Sequence, residues 1–254
     1  MKTCLLTFFL CFPFIKSFGQ IELKPQFEKA TGYLKKEDFK NAEKEFTSIL
    51  EKATEVKLKK FAFIYRAFSK NGLNDFSGAI ADLDKAVELD PDDLGTYIDR
   101  GQSKIYAENF EAAIKDFEFV LSKDSINKQG QNALYYMAKI SRHENEFELS
   151  IKYYDKVIKL TPDDAELYFE RGASKDMIMD SQGSVKDYDK AIELNPNYME
   201  AYANRGVAKI NLLRKKGNIT LTPEQTKGPC SDLKRAKQLV DNTVDDMIFV
   251  HCSK

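Results

Sequence analysis

Apolar and polar positions along this chain follow two periods at once. Over short stretches the apolar residues recur every three to four positions, the spacing of one helix face. Over long stretches the whole pattern returns every 34 residues. Ala165–Tyr198 shows it most fully. That stretch overlies Gln131–Asp164, Leu94–Ser125 and Lys60–Asp93 behind it, and Met199 onward ahead of it. Each copy holds two apolar stripes separated by a polar turn, which predicts a pair of antiparallel helices. Pro91, Pro162 and Pro196 close three copies, because the residue before Pro avoids the α region.

Two such helices must cross closely, so the eighth position of each copy should be small. It is Ala30, Ala67, Gly101, Ala138, Gly172 and Gly206. The second helix supplies one apolar stripe to the core, with Phe46, Leu83, Phe117, Tyr154, Tyr188 and Leu233 at its centre. Two further positions vary together: Lys29/Glu45, Arg66/Asp82, Arg100/Asp116, Arg171/Asp187 and Arg205/Asp232. In the remaining copy both lose charge, as Met137/Tyr153. Joint loss predicts that the two positions face each other across each helix pair.

These residues resemble the tetratricopeptide repeat (TPR). In the fullest copy the matching positions are Tyr168, Arg171, Gly172, Lys175, Ser184, Tyr188, Ala191 and Pro196. Arg171 and Lys175 depart from the family's Leu and Tyr, and neighbouring copies depart in the same way. The resemblance implies an all-α fold: a right-handed superhelical solenoid of antiparallel helix pairs, about six repeats plus a C-terminal capping helix. The repeats fall at residues 23–59, 60–93, 94–130, 131–164, 165–198 and 199–241, with an insertion at 213–228 and the cap at 242–252. The first is atypical and runs into a lysine-rich link, Lys52–Lys60. Three extra residues lengthen the link around Asn127–Gly130. In the insertion, Gly217-Asn218 reads as a turn and Thr222-Pro223-Glu224-Gln225 as a short helix start. The second helix of that repeat is expected to resume at Pro229.

Composition changes the picture only at the ends. Of 254 residues, 31% are charged, but the formal net charge is −1, so no basic footprint for nucleic acid exists. No apolar run reaches the roughly 18–20 residues that span a bilayer. Residues 1–19 carry Lys2, an apolar Leu5–Ile15 and small Ser17 and Gly19, which reads as a secretory signal peptide cut before Gln20. Loss of Lys2 and Lys16 then takes the formal charge from −1 to −3. Leu10 before Cys11 is too bulky for a lipid-attachment site. The mature chain is expected to be exported, periplasmic or extracellular. Of the four cysteines, Cys230 and Cys252 remain. The start of the last repeat's second helix lies beside the end of an antiparallel cap, so a disulfide is expected there, contributing roughly 3 kcal/mol; two buried thiols are the alternative.

Catalysis finds little footing. His143 falls in an expected hairpin turn and His251 in the last turn of the chain. No His/Cys spacing suits zinc and no glycine-rich phosphate loop occurs. Asp92-Asp93, Asp163-Asp164 and Asp245-Asp246 read as helix starts. Asn218-Ile219-Thr220 matches a glycosylation sequon, taken as chance given a bacterial-looking composition. No cofactor or metal is expected, and the chain is read as a non-enzyme.

By the resemblance, the first helices line a concave groove for a peptide or partner protein. The residues this places there are Ile64, Phe68, Ile98, Gln102, Ile105 and Tyr106 in the earlier repeats. Tyr135, Lys139, Arg142, Phe169 and Met177 follow, with Phe27, Val207 and Ile210 at the flanks. The family's carboxylate clamp needs a Lys where this chain has Ile64, Ile98, Tyr135 or Phe169, which argues against a clamp. The reading is a non-enzymatic protein–protein interaction module, binding a peptide or partner protein in that groove within a cell-envelope assembly, with no nucleic-acid partner and no membrane span. Two alternatives stand beside it: a structural or self-associating scaffold, hence a homo-oligomer, and a small-ligand binding protein or hydrolase with 213–228 as a lid.

Overall fold

The computed structural model describes residues 20–215, 221–239 and 244–252. The expected signal peptide, the Gly217-Asn218 turn and the sequon lie outside them. The chain divides into two compact units, Met1–Ser125 and Ile126–Lys254. The boundary falls where the 34-residue period gains its three extra residues.

Among its described residues the first unit has a single 3-10 turn, Ile21–Leu23, followed by six α-helices. They are α1 (Lys24–Lys35), α2 (Phe39–Lys52), α3 (Val56–Gly72), α4 (Phe76–Leu89), α5 (Leu94–Tyr106) and α6 (Phe110–Lys123). Each packs on the next. The second unit holds α7 (Lys128–His143), α8 (Phe147–Leu160), α9 (Ala165–Met177), α10 (Ser181–Leu194), α11 (Met199–Lys215), α12 (Pro223–Gln238) and α13 (Asp245–Cys252), again packed in succession. The described residues contain no strand.

Each hairpin turn is built the same way. Glu37, Asn74, Glu108, Asn145 and Met179 take positive φ, between 56° and 62°, which reverses the chain in one residue. The next residue caps the second helix. Asp38, Asp75, Asn109 and Asp180 accept from the backbone N–H three positions on. Glu146 occupies the same place before α8 and makes no side-chain cap.

The crossing points lie where the small residues predict them. A Cβ on Gly172 would come within 2.9 Å of the Tyr188 ring, and one on Gly206 within 2.9 Å of Leu233. Gly101 meets Phe117 even more closely. Ala30, Ala67 and Ala138 are fully buried. The core of the first unit gathers Phe27, Phe46, Ile49 and Leu58 around this geometry, with Ile64 and Leu83 in a neighbouring cluster.

The expected charge pairs form. Lys29 lies 2.6 Å from Glu45. Arg66, Arg100, Arg171 and Arg205 each place Nε and Nη2 on the two oxygens of Asp82, Asp116, Asp187 and Asp232. Three further features were not read from the pattern. Lys70, Lys104, Lys175 and Lys209, one turn on, reach the same aspartates at 2.7–2.9 Å. Each Nη1 reaches back to the preceding hairpin, on Thr47, Asp84, Asp155 or Asp189. Each guanidinium also lies 5.1–5.6 Å from a ring three residues earlier: Phe63, Tyr97, Tyr168 or Tyr202. The aspartates are buried, so this cluster couples neighbouring hairpins through desolvated, bidentate bonds.

Three expected boundaries differ. The lysine-rich link is helical from Val56, because Leu58 is 1% exposed and anchors the extra turn in the core. Lys60 is itself buried, its ammonium held by Asp90 at 2.7 Å and Asp93 at 3.0 Å. The longer link near 127 starts a helix instead: Asn127 caps α7 by accepting from the Gly130 N–H at 2.7 Å. And α12 does not restart at Pro229; it runs unbroken from Pro223 with Pro229 inside. The Thr222/Gln225 capping box nucleates it. Gly228, lacking a Cβ, spares the α-region clash that precedes a proline.

Candidate partner-binding walls

In the first unit, helical spacing puts Phe68, Asn71 and Gly72 on one face of α3, and Gln102, Ile105 and Tyr106 on one face of α5. Asn71 Nδ2 donates to Ser103 Oγ at 2.8 Å and ties the two helices together. Asn71 Oδ1 is buried with no hydrogen-bond partner among the described residues. Tyr106 is 43% exposed and its ring lies 5.8 Å from that of Phe76. Phe68, Gln102 and Ile105 are half-buried. Ile64 and Ile98 are not part of this wall: at 5% and 3% exposed they pack into the core. Phe27 and, in the second unit, Ile210 are core residues as well.

In the second unit the wall is richer. Tyr135 Oη donates to Glu166 Oε1 at 2.5 Å, joining α7 to α9. Lys139 donates to the same Tyr135 oxygen at 3.4 Å and sits 5.2 Å from the ring centroid. Arg142 Nη1 lies 2.5 Å from Glu170 Oε2, an ion contact without hydrogen-bond alignment. Burial pushes the Glu170 carboxyl up, against the pull of Arg142 and Lys139. Burial, then the bond to Glu166, pushes the Tyr135 phenol up. Tyr154 Oη is buried with no hydrogen-bond partner among the described residues, and burial raises its phenol too. Phe169 packs on Tyr198 with tilted rings 4.9 Å apart, and Val207 is half-buried on α11. At the α9–α10 turn, Met177, Ile178 and Met179 are 58%, 37% and 75% exposed.

Two cations on α7 thus face two carboxylates on α9. Arg142 pairs with Glu170, while Lys139 and Glu166 both engage Tyr135, the one over its ring and the other at its hydroxyl. The positions where a carboxylate clamp needs lysine hold buried Ile64 and Ile98 and the aromatic Tyr135 and Phe169. Among the described residues no group of His, Cys, Asp and Glu is placed to hold a metal ion. The His143 side chain is 66% exposed, and the His251 side chain lies outside the described residues. No helix among the described residues is long and apolar enough to cross a membrane.

Cys230 and Cys252 are bonded, with Cα atoms 5.6 Å apart. Cys230 lies inside α12 and not at its start, because that helix begins earlier than the period implies. The bond ties the cap α13 to α12, over a cluster of Ile210, Leu233, Ala236 and Val244.

Comparison with known proteins agrees with this geometry. Tetratricopeptide repeat models match residues 69–93 and 98–165. The chain is 33% identical over 91 residues to the human mitochondrial import receptor subunit TOM70; the match takes in 34% of this chain and only 15% of that protein. The C-terminal part of a TPR repeat-containing protein from Cytophaga hutchinsonii superposes with a TM-score of 0.67 at 15% identity, over 84% of this chain and 78% of the other. YrrB, described as a TPR protein with an unusual peptide-binding site, gives 0.57 at 21% identity, over 81% and 96%. Residues 69–93 and 98–165 thus carry tetratricopeptide repeats, and the succession of helix pairs has the fold of a TPR solenoid.

Proposed function

We propose that this chain is a non-catalytic docking protein that holds an extended peptide or partner protein against its odd-numbered helices, after export from the cytoplasm, as part of a cell-envelope assembly. The observation that carries the reading is the second unit's wall: Tyr135, Phe169 and Tyr198 present rings, Arg142 pairs with Glu170, and Glu166 accepts from the Tyr135 hydroxyl. Partly exposed aromatic surface of this kind marks interaction sites. The peptide-binding description of YrrB and the receptor role printed for TOM70 support the reading by analogy of fold.

The test is a pull-down from envelope extract with the wild type, a Phe68→Ala/Tyr106→Ala variant and a Tyr135→Ala/Phe169→Ala variant. Loss of the same recovered protein in either variant supports docking on that wall; recovery of an identical set with all three overturns it. The exposed Met177-Ile178-Met179 turn favours one second reading, self-association into a scaffold. Light scattering decides it: a concentration-dependent mass that Met179→Lys abolishes supports the scaffold, and a constant monomer mass removes it.

A further inference from the structure

The link between α2 and α3, Ala53-Thr54-Glu55, is satisfied by a residue more than thirty positions away. Gln20 Oε1 accepts from the Thr54 N–H at 2.6 Å and the Glu55 N–H at 3.0 Å. Its Nε2 donates to Glu22 Oε1 at 3.2 Å and Lys52 O at 3.5 Å. Its backbone N–H donates to Glu55 Oε2 at 3.3 Å. Only a side-chain amide can do both jobs: a carboxylate here could not donate to Lys52 O and would face Glu22 and Glu55.

We propose that Gln20 is a processing site and a docked terminus: once the Gly19–Gln20 bond is hydrolysed, the new α-ammonium pairs with Glu55 while the clamped side chain is kept from cyclising. This rests on the export reading. Hydrolysis consumes one water and leaves a carboxylate on Gly19 and an ammonium on Gln20. The charge then stands at the start of a helical segment, where a cation is unfavourable, and Glu22 and Glu55 offset that. A free N-terminal glutamine ordinarily closes on itself: its neutral amine attacks its own Cδ, forms a lactam and expels ammonia. Docking opposes this twice. The ion pair keeps the amine protonated, and the bonds to Thr54 and Glu55 hold the amide away from it. The result is a mature end that retains its charge, a covalent state set by a fold contact.

The experiment uses the chain from Gln20 to Lys254, its N-terminus freed by removal of a fusion, incubated at neutral pH and followed by intact mass for loss of ammonia. The native protein is expected to cyclise about tenfold slower than the same protein in denaturant, the factor that about 1.4 kcal/mol of docking gives. Glu55→Gln, with an unchanged circular dichroism spectrum, is expected to recover much of the difference. Equal rates in native and denatured protein overturn the docking; an unchanged rate in Glu55→Gln overturns the ion pair. A separate arm expresses the full-length chain in an exporting host and reads its N-terminus by mass. Retention of residues 1–19, or a cut elsewhere, overturns the processing and the export reading without touching the docking result.

Discussion

Two hairpins of the second unit, α9–α10 and α7–α8, share one backbone plan and hold it by opposite means. In α9–α10, Asp187 receives Arg171 and Lys175, Asp176 receives the Tyr188 hydroxyl at 2.7 Å, and Asp180 caps the second helix. In α7–α8 the corresponding residues are Met137, Ser141 and Tyr153, the Tyr154 hydroxyl has no hydrogen-bond partner among the described residues, and Glu146 does not cap. The small crossing residue is common to both, Gly172 and Ala138. The close approach of the helices therefore defines the hairpin, and the polar network adds rigidity to one that already exists.

That contrast can be broken most forcefully at Asp187. Asp187→Ala takes the carboxylate from Lys175 and from two of the three Arg171 guanidinium nitrogens, leaving Arg171 only the Asp155 carboxylate, and is expected to cost about 3 kcal/mol. Tyr153→Ala, at the matching place, is expected to cost about 1 kcal/mol or less; urea titration of both compares them. Next come the paired tyrosines. Tyr188→Phe removes the donor to Asp176 and is expected to cost about 1–3 kcal/mol, whereas Tyr154→Phe removes an unsatisfied hydroxyl and is expected to be near neutral. Equal costs would erase the distinction between the hairpins. A smaller effect, in the other direction, is Glu146→Asp: a working cap before α8 should raise stability by about 0.5–1 kcal/mol, read from the thermal midpoint.

The smallest effect lies in a slope. Burial raises the Glu170 carboxyl above its ordinary 4.5, so between 4.5 and its native value the folded chain binds more protons than the unfolded one. Stability from this group is then full at low pH and falls as pH rises through that window. Glu170→Gln should flatten this part of the stability–pH curve, and an unaltered slope would show that the ion contact with Arg142 cancels the effect of burial.

How much of this was legible in the chain depended on the kind of signal. The crossing residues and the Arg/Asp pairs were readable because each is forced by a geometry that repeats, so joint variation reports contact. The lysines one turn on were just as periodic, but a lysine on a helix is usually a solvated one, and nothing local marks it as the third member of a cluster. The extra turn of α3 was hidden because its lysines read as a link, while the one residue that holds it, Leu58, finds its core partners only after folding. Gly228-Pro229 read as a break because the rule concerns an ordinary residue before proline. The wall residues were half legible. Spacing places Ile64 and Phe68 on one side of α3, but whether a side chain there meets solvent depends on how the next helix leans over it, and that is a tertiary fact.

The arginine network has one last implication, and it concerns how such a chain changes length. Arg100 lies 16 positions from Asp116 ahead and 16 from Asp84 behind; Arg171 keeps the same interval to Asp187 and Asp155. A rule written in relative distances is honoured by any tandem copy, so whole modules can be duplicated or excised with their bonds intact. At the last pair the interval to Asp232 has grown to 27, yet the contact survives. The added residues lengthen α11 and α12 at the turn end of the hairpin without disturbing the Arg205–Asp232 contact, which makes that end the place where new sequence enters at least cost.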